Sequence, residues 1–358
     1  MKRFLLIVFI VFNSCISPIE NKKPNVIIIM TDDQGFGDLG INKNPNIITP
    51  NIDKFANKSI QFNNFFVSPV CAPTRASLMT GRYSLRTGIR DTYNGGAIMS
   101  NNETTIAEIL KEANYATGIF GKWHLGDNYP FRPSEQGFDE SLIHLAGGIG
   151  QVGDFTNYYK GNTSYFDPIL WKNNKQNQYK GYCSDIFAEN AIEFIEKNKN
   201  NSFFCYLSFN APHTPLQVPE KYYNMYKDLD PELGFKGESL ALKMSKKDKE
   251  DARRIYGMVT NIDDNVGKVL NKLTELGIEE ETIIIFMTDN GPQQFRYNSN
   301  MKGLKGTVYN GGTRVPFYIK YAEKFKNSKV ISRMSAHIDI LPTILELCNL
   351  KIPSDRKI

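Results

Sequence analysis

The chain has 358 residues, 41% of them hydrophobic and 23% charged, enough for one large α/β domain or two smaller ones. A formal charge of +5 is too mild to argue for a nucleic-acid partner, and no basic stripe interleaved with aromatics supports one. The five cysteines, Cys15, Cys71, Cys183, Cys205 and Cys348, stand at spacings that suggest neither a disulfide framework nor a zinc site.

The chain opens MKRFLLIVFIVFNSC, with Lys2 and Arg3 ahead of an apolar run from Phe4 to Phe12. That run is shorter than the roughly 20 residues of a membrane-spanning helix and fits the apolar region of a secretory signal. Residues 1–14 are therefore expected to be a signal peptide, with Cys15 as the lipidation site of a bacterial lipoprotein; Phe12-Asn13-Ser14 makes a loose lipobox. The expectation is an exported protein, periplasmic or a cell-surface lipoprotein, otherwise secreted. Membrane attachment would come only through the lipid. The main domain is expected to cover 22–358.

Asn25–Met30 (NVIIIM) is apolar without alternation, as in a strand buried on both faces. Similar runs recur at Ala116–Phe120, Phe203–Phe209, Thr282–Met287 and Val315–Tyr321, and helical patterns cover Thr104–Ala113, Ser184–Lys197 and about Asp248–Leu276. Alternating strands and helices predict an α/β fold with a mainly parallel central sheet flanked by helices. Residues 150–182 and 222–247 read as insertions, the first a long surface excursion of the kind that often carries substrate contacts.

The residues just past each strand are informative. NVIIIM runs into TDDQGFGD, ATGIF into GKWHLG, FFCYLSF into NAPHTP and IIIFM into TDNGP. Ligands of doubly wound sheets collect beyond the carboxyl ends of the strands, and that edge here receives Asp32, Asp33, Lys122, His124, His213, Asp289 and Asn290. Asp or Asn after a strand often only caps the next helix. Two such pairs after two strands point instead to a hard divalent cation, Ca²⁺ or Mg²⁺. Two of the four histidines, His124 and His213, come after predicted strands and are candidates for proton transfer. His337, with Asp339, is expected to anchor the helix after it, and His144 receives no role.

Cys71 lies in SPVCAPTRASLMTGRY, which reads as polar and turn-like. It could be a free surface thiol or a thiol nucleophile. Its third reading comes from Cys71-Ala72-Pro73-Thr74-Arg75, a C-x-P-x-R core of the kind recognised for oxidation of cysteine to formylglycine.

From Asn25 to Leu347 the sequence resembles a type I, formylglycine-dependent sulfatase of the alkaline phosphatase superfamily. The resemblance rests on TDDQG, SPVCAPTRASLMTGRY, GKWHLG, APHTP, TDNGP, KGTVYNGGTRVP and the His337/Asp339 segment before PTILEL, all in family order. It implies an alkaline phosphatase-like fold and hydrolysis of sulfate esters, on sulfated carbohydrate or aryl sulfate. It also implies Ca²⁺, in preference to Mg²⁺, held by Asp32, Asp33, Asp289, Asn290 and the modified residue 71, which a formylglycine-generating enzyme would mature. One hydroxyl of the hydrated aldehyde would attack sulfur, and the second would then expel sulfate. By the same resemblance Arg75 and Lys122 would hold the hydrate, His124 would act as base for the elimination, and His213 and Lys305 would neutralise sulfate oxygens and protonate the leaving oxygen.

Two departures stand out. Asn310 replaces a glutamate common in the family, which bears on the ion pairing of Arg314. The chain also stops at Ile358, so the family's C-terminal antiparallel subdomain is expected to be missing. The rival functions are a phosphonate or phosphate-ester hydrolase with the same nucleophile, and a truncated, inactive lipoprotein that binds sulfated glycans.

Overall fold

The computed structural model describes residues 23–93, 96–235 and 243–352. The expected signal peptide at 1–14, Cys15 and the end of the 22–358 domain lie outside the described residues, as does 236–242 within the second insertion. Among the described residues no helix is long and apolar enough to cross a membrane.

In chain order the strands are β1 (Asn25–Thr31), β2 (Ile60–Phe62), β3 (Phe65–Phe66), β4 (Ala116–Lys122), β5 (Glu140–His144) and β6 (Ile169–Lys172), then β7 (Lys175–Gln178), β8 (Phe203–Ser208), β9 (Thr282–Thr288), β10 (Phe317–Lys320), β11 (Lys329–Ile331) and β12 (Ser335–Ala336). Ten of them form one sheet in the order β11-β2-β10-β9-β1-β8-β4-β5-β6-β7, and β3 pairs with β12 apart from it. The centre, β9-β1-β8-β4-β5, is parallel throughout. β10 joins it antiparallel on one side, and β6 and β7 on the other.

The helices are α1 (Pro50–Asn57), α2 (Cys71–Thr80), α3 (Ile106–Glu112), α4 (Cys183–Asn198), α5 (Glu220–Tyr223), α6 (Lys246–Glu275), α7 (Asn310–Thr313) and α8 (Ile340–Leu347). They cover both faces of the sheet. On β1, Val26, Ile28 and Met30 join a core with Leu78 of α2, Leu110 of α3 and Leu345 of α8. The alternate residues Ile27 and Ile29 join another with Ile52 of α1, Phe187 of α4 and Ile262 of α6. A strand so enclosed has no solvent face, which is why NVIIIM shows no alternation.

The five predicted strands and three predicted helices all form, with shifted ends. Val315–Tyr321 shortens to β10 because Pro316 has no N–H to give a ladder. Helix starts are set by their caps: Thr105 and Glu108 form a reciprocal capping box on α3, and Ser245 and Asp248 form one on α6.

Two expectations are corrected. Residues 150–182 are not only a surface excursion, since β6 and β7 form a hairpin that extends the sheet beyond β5. Its two-residue turn, Asn173-Asn174, has φ of 48° and 65°, the conformation whose twist matches the flanking strands. The segment around Cys71 is not a turn but the buried helix α2. Pro73 is tolerated there because N–H groups in a first helical turn have no intrahelical acceptor. Gly81, at φ 68°, closes the helix by donating its N–H to Ser77 O at 2.8 Å.

Candidate active site

The carboxyl ends of β1, β4, β8 and β9 lie on one edge of the sheet, and α2 points its first turn at the same place. Asp32 and Asp33 come after β1, Lys122 ends β4 with His124 two residues on, His213 lies beyond β8, and Asp289 and Asn290 come after β9. α2 supplies Cys71 and Arg75, and the segment between β9 and α7 supplies Lys305. All ten residues proposed from the sequence come together here, eight through hydrogen bonds and ion pairs around Asp32, Asp33 and Asp289, and Cys71 with His124 beside them. Asp33 and His124 sit at φ 62° and 59°, backbone strain of a kind that clusters at functional sites.

Arg75 is fully buried, and its donors are committed. Nε and Nη2 donate to Asp289 Oδ2 at 3.1 and 2.7 Å, and Nη1 donates to Ser208 Oγ at 2.6 Å and Lys122 O at 3.1 Å. Burial opposes its charge, but Asp289 and Asp32 outweigh it and hold the guanidinium ionised. Lys122 Nζ bonds Asp32 Oδ2. Asp33 Oδ1 accepts from Lys305 Nζ at 2.6 Å and from Asn290 Nδ2 at 2.8 Å.

Both histidines have a fixed tautomer when neutral. His124 Nε2 lies 2.9 Å from Thr92 O, so Nε2–H donates there, and the Nδ1 lone pair faces Cys71 Sγ at 3.3 Å. His213 Nδ1–H donates to Thr214 O at 2.7 Å, which leaves the Nε2 lone pair 3.7 Å from Asp33 Oδ2. Burial and neighbouring lysines push His213 down to about 4, with Asp33 opposing, and push His124 well below its ordinary value. Burial and Asp32 lift Asp289 to about 6 against the pull of Arg75. Burial also works against the Asp33 carboxylate, yet Lys305 and His213 together hold it below the usual range. Burial raises the Cys71 thiol.

Buried carboxylate oxygens without partners are costly. Asp32 Oδ1, Asp33 Oδ2 and Asn290 Oδ1 are buried and accept no hydrogen bond. Single donor atoms of Asp32, Cys71 and Asp289 lie within 4.8 Å of one another, as do those of Asp32, Asp33 and His213. Uncommitted, mostly anionic oxygens converging in one buried place suit a hard divalent cation.

Sequence reasoning missed several supports. Ser208 and Thr92 orient Arg75 and His124, the second through a backbone carbonyl that leaves no mark on sequence. Arg296 donates to Asp38 Oδ1 and Oδ2 at 2.8 and 2.6 Å and to Asp33 O at 2.9 Å, while Asp38 Oδ2 accepts the Gly35 N–H at 2.7 Å. This buried pair braces the Asp32–Asp38 loop. His337 is also corrected: its ring contacts Phe66 O at 3.1 Å and Ser68 Oγ at 3.4 Å, so it pins the segment entering α2. Asp339 holds the next turn by accepting the Ala336 N–H at 2.8 Å. His144 lies buried with Nδ1 on Leu145 O at 2.8 Å. With Asn310 in place of a carboxylate, Arg314 donates to Asn63 O at 2.6 Å and stacks 4.6 Å above the Phe36 ring.

The family model for Sulfatase matches residues 24–350. Mouse N-acetylgalactosamine-6-sulfatase is 31% identical over 367 residues, covering 94% of this chain and 64% of that protein. The ulvan-active sulfatase of Formosa agariphila is 32% identical, covering 93% and 63%. The solved structure of Ps i-CgsB in complex with k-i-k-neocarrahexaose superposes with a TM-score of 0.80 at 32% identity, over 93% of this chain and 74% of that one. The chain thus spans somewhat under two thirds of the length of the curated relatives it matches. With a family match that takes in every residue of this cluster, the chain belongs to the sulfatase family of the alkaline phosphatase superfamily.

Proposed function

We propose that the protein hydrolyses sulfate esters of carbohydrates, with residue 71, matured from cysteine to formylglycine, as its nucleophile. The observation that carries this reading is the seat of Cys71: first residue of α2, buried, 3.3 Å from His124 Nδ1 and grouped with Asp32 and Asp289. A thiol whose pKa is raised by burial makes a poor nucleophile as it stands. The C-x-P-x-R core around it supports conversion, which calls for a formylglycine-generating enzyme in the host. Relatives named for N-acetylgalactosamine 6-sulfate and ulvan support a sulfated saccharide as substrate.

Asp32, Asp33, Asp289 and Asn290 would hold the cation, Ca²⁺ in preference to Mg²⁺, beside residue 71. Such a cation supplies Lewis acidity toward sulfate oxygens. The chain's own residues do the rest. His124 has its Nε2–H held by Thr92 O, so only Nδ1 can take a proton, and it faces the residue 71 side chain. Lys122 and Lys305 bring fixed positive charge to the sulfate oxygens. His213 Nε2 is free to carry a proton to the departing oxygen, and an anionic substrate beside it raises its affinity for that proton. Arg75, its donors already engaged, holds Asp289 and the end of β4 in place instead of reaching for substrate. We further propose export through the N-terminal signal, with Cys15 as a lipid anchor.

The test begins with protein from its own host. The tryptic peptide ending at Arg75 should be lighter by about 18 Da than its cysteine form. The same preparation should cleave 4-nitrophenyl sulfate and sulfated oligosaccharides faster than an aryl phosphodiester, and Cys71→Ala should abolish turnover. An intact thiol together with no cleavage of any sulfate ester would refute the proposal.

A further inference from the structure

His124 also walls a cavity of about 370 Å³ that Cys71 does not line, together with Asp127, Asn128, Tyr93, Phe131 and Val152 among others. It falls within the usual size range for small-ligand pockets. Its lining joins apolar surface to a few polar groups, the mixture that a pyranose ring presents in reverse. Tyr93 and Val152 in its lining are 64% and 86% exposed, so the cavity opens to solvent beside apolar surface. Exposed apolar side chains at the mouth of a cavity beside a catalytic cluster suit a binding surface.

The charge pattern narrows the ligand. No lysine or arginine lines the cavity, although Lys122 and Arg75 lie near enough to His124 to act on its charge. Its one carboxylate, Asp127, uses Oδ1 to accept the Ala146 N–H at 3.0 Å, and Oδ2 has no partner among the described residues. Burial raises the Asp127 carboxyl, and the Ala146 N–H and the charge of Arg132 oppose that, but Arg132 makes no ion pair with it. The Arg132 Nε donates to the main-chain oxygen of Asp127 at 2.5 Å, and its guanidinium stacks 4.4 Å from the Trp171 ring centroid. Among the described residues Asp127 has no ion-pair partner within 4.0 Å. A free carboxylate oxygen accepts from sugar hydroxyls and repels sulfate or uronate.

We propose that this cavity is a subsite for an uncharged sugar ring of the substrate, and that Asp127 selects against a second anionic group there. The proposal rests on the sulfate-ester reading and adds what that reading leaves open, the charge of the ring beside the one being desulfated. Recognition by hydroxyl acceptance and exclusion by like charge act through the same carboxylate.

The test uses matured protein and matched pairs of disaccharides, each monosulfated or carrying one further sulfate on the neighbouring ring, with 4-nitrophenyl sulfate alongside. The wild type should favour the monosulfated member in kcat/KM. Asp127→Asn keeps an oxygen for the Ala146 N–H, so it should fold, and removing the like-charge contact should shrink that preference by about tenfold or more. Equal cleavage of the pairs by the wild type, or an unaltered preference in Asp127→Asn, overturns the proposal. Failure to cleave even 4-nitrophenyl sulfate would strike the hydrolase reading instead. The subsite would then be judged by saturation-transfer NMR with the unsulfated disaccharides. Contact that Val152→Trp removes sustains it, and no contact overturns it.

Discussion

Gly147 is expected to be a positioning residue for His124, and Gly147→Ala tests this. A β-carbon there would sit 2.7 Å from His124 Cε1 and 2.8 Å from Nε2, whereas ordinary contact begins at 3.4 Å. The overlap is about 0.7 Å. The imidazole cannot retreat freely, because Nε2 is tied to Thr92 O at 2.9 Å and Nδ1 faces Cys71 Sγ at 3.3 Å. Gly147 does not need a left-handed backbone, so alanine adds no strain of its own. Overpacking of this kind costs about 1–3 kcal/mol of stability. A catalytic group displaced by close to 1 Å costs on the order of 100-fold in rate. For the matured enzyme and 4-nitrophenyl sulfate, kcat should therefore fall about 10- to 100-fold, with KM changing far less. The ¹⁵N spectrum of His124 should show a disturbed Nε2–H. A folded Gly147→Ala protein with wild-type kcat and an undisturbed His124 would refute the reasoning.

Acid should destabilise the protein early. Burial holds His144, His213 and His337 at about 4 and His124 well down, so the unfolded chain binds protons from about pH 6.5 that the folded chain refuses. Stability present above pH 6.5 is lost as pH falls toward 4. Asp289, raised from 3.8 to about 6, acts in the opposite sense over that interval and offsets part of one histidine. In metal-free urea titrations His337→Gln should lower the pH slope by about one proton; an unchanged slope would contradict this account. Chelation should lower Tm and added Ca²⁺ should restore it, by up to about 4 kcal/mol at a thousandfold excess over Kd. Asp32→Asn should blunt that response, and a Tm indifferent to chelator and calcium would argue against the cation. Arg75→Met strands the buried Asp289 carboxylate and should cost about 3–5 kcal/mol. Adding Asp289→Asn should return part of that loss, whereas strict additivity would show that the two side chains do not act as a pair.

The chemistry was easier to read than the architecture that supports it. Parallel strands deliver the loops at their carboxyl ends to one edge, so TDDQG, GKWHLG, NAPHTP and TDNGP could be assembled without knowing the strand order. α2 hid because Val70 offers no side-chain cap and Pro73 falls in the first turn, so local signals spelled a turn. The hairpin of β6 and β7 hid because all four residues of β7 are exposed and polar, with nothing to mark a strand. The Asp38–Arg296 brace spans 258 positions, and no local pattern can announce a pair that far apart. Thr92 acts through its carbonyl, which every residue has.

The sheet order has a consequence for how such a protein can change. The ion pairs and histidines hang from β9, β1, β8 and β4, strands enclosed on both faces and flanked by others on both sides. The cavity beside His124 is walled partly by the stretch between β5 and β6, toward the margin of the sheet. Chemistry and choice of substrate are thus mounted on parts of different mechanical standing. Loops at the margin can be lengthened, shortened or exchanged with little effect on the central strands. An engineer seeking new specificity should therefore redraw the exposed part of that stretch around Val152, Phe155 and Tyr159, spare Gly147 and Tyr165, which hold His124 and the His213 carbonyl in place, and leave the four inner strands alone.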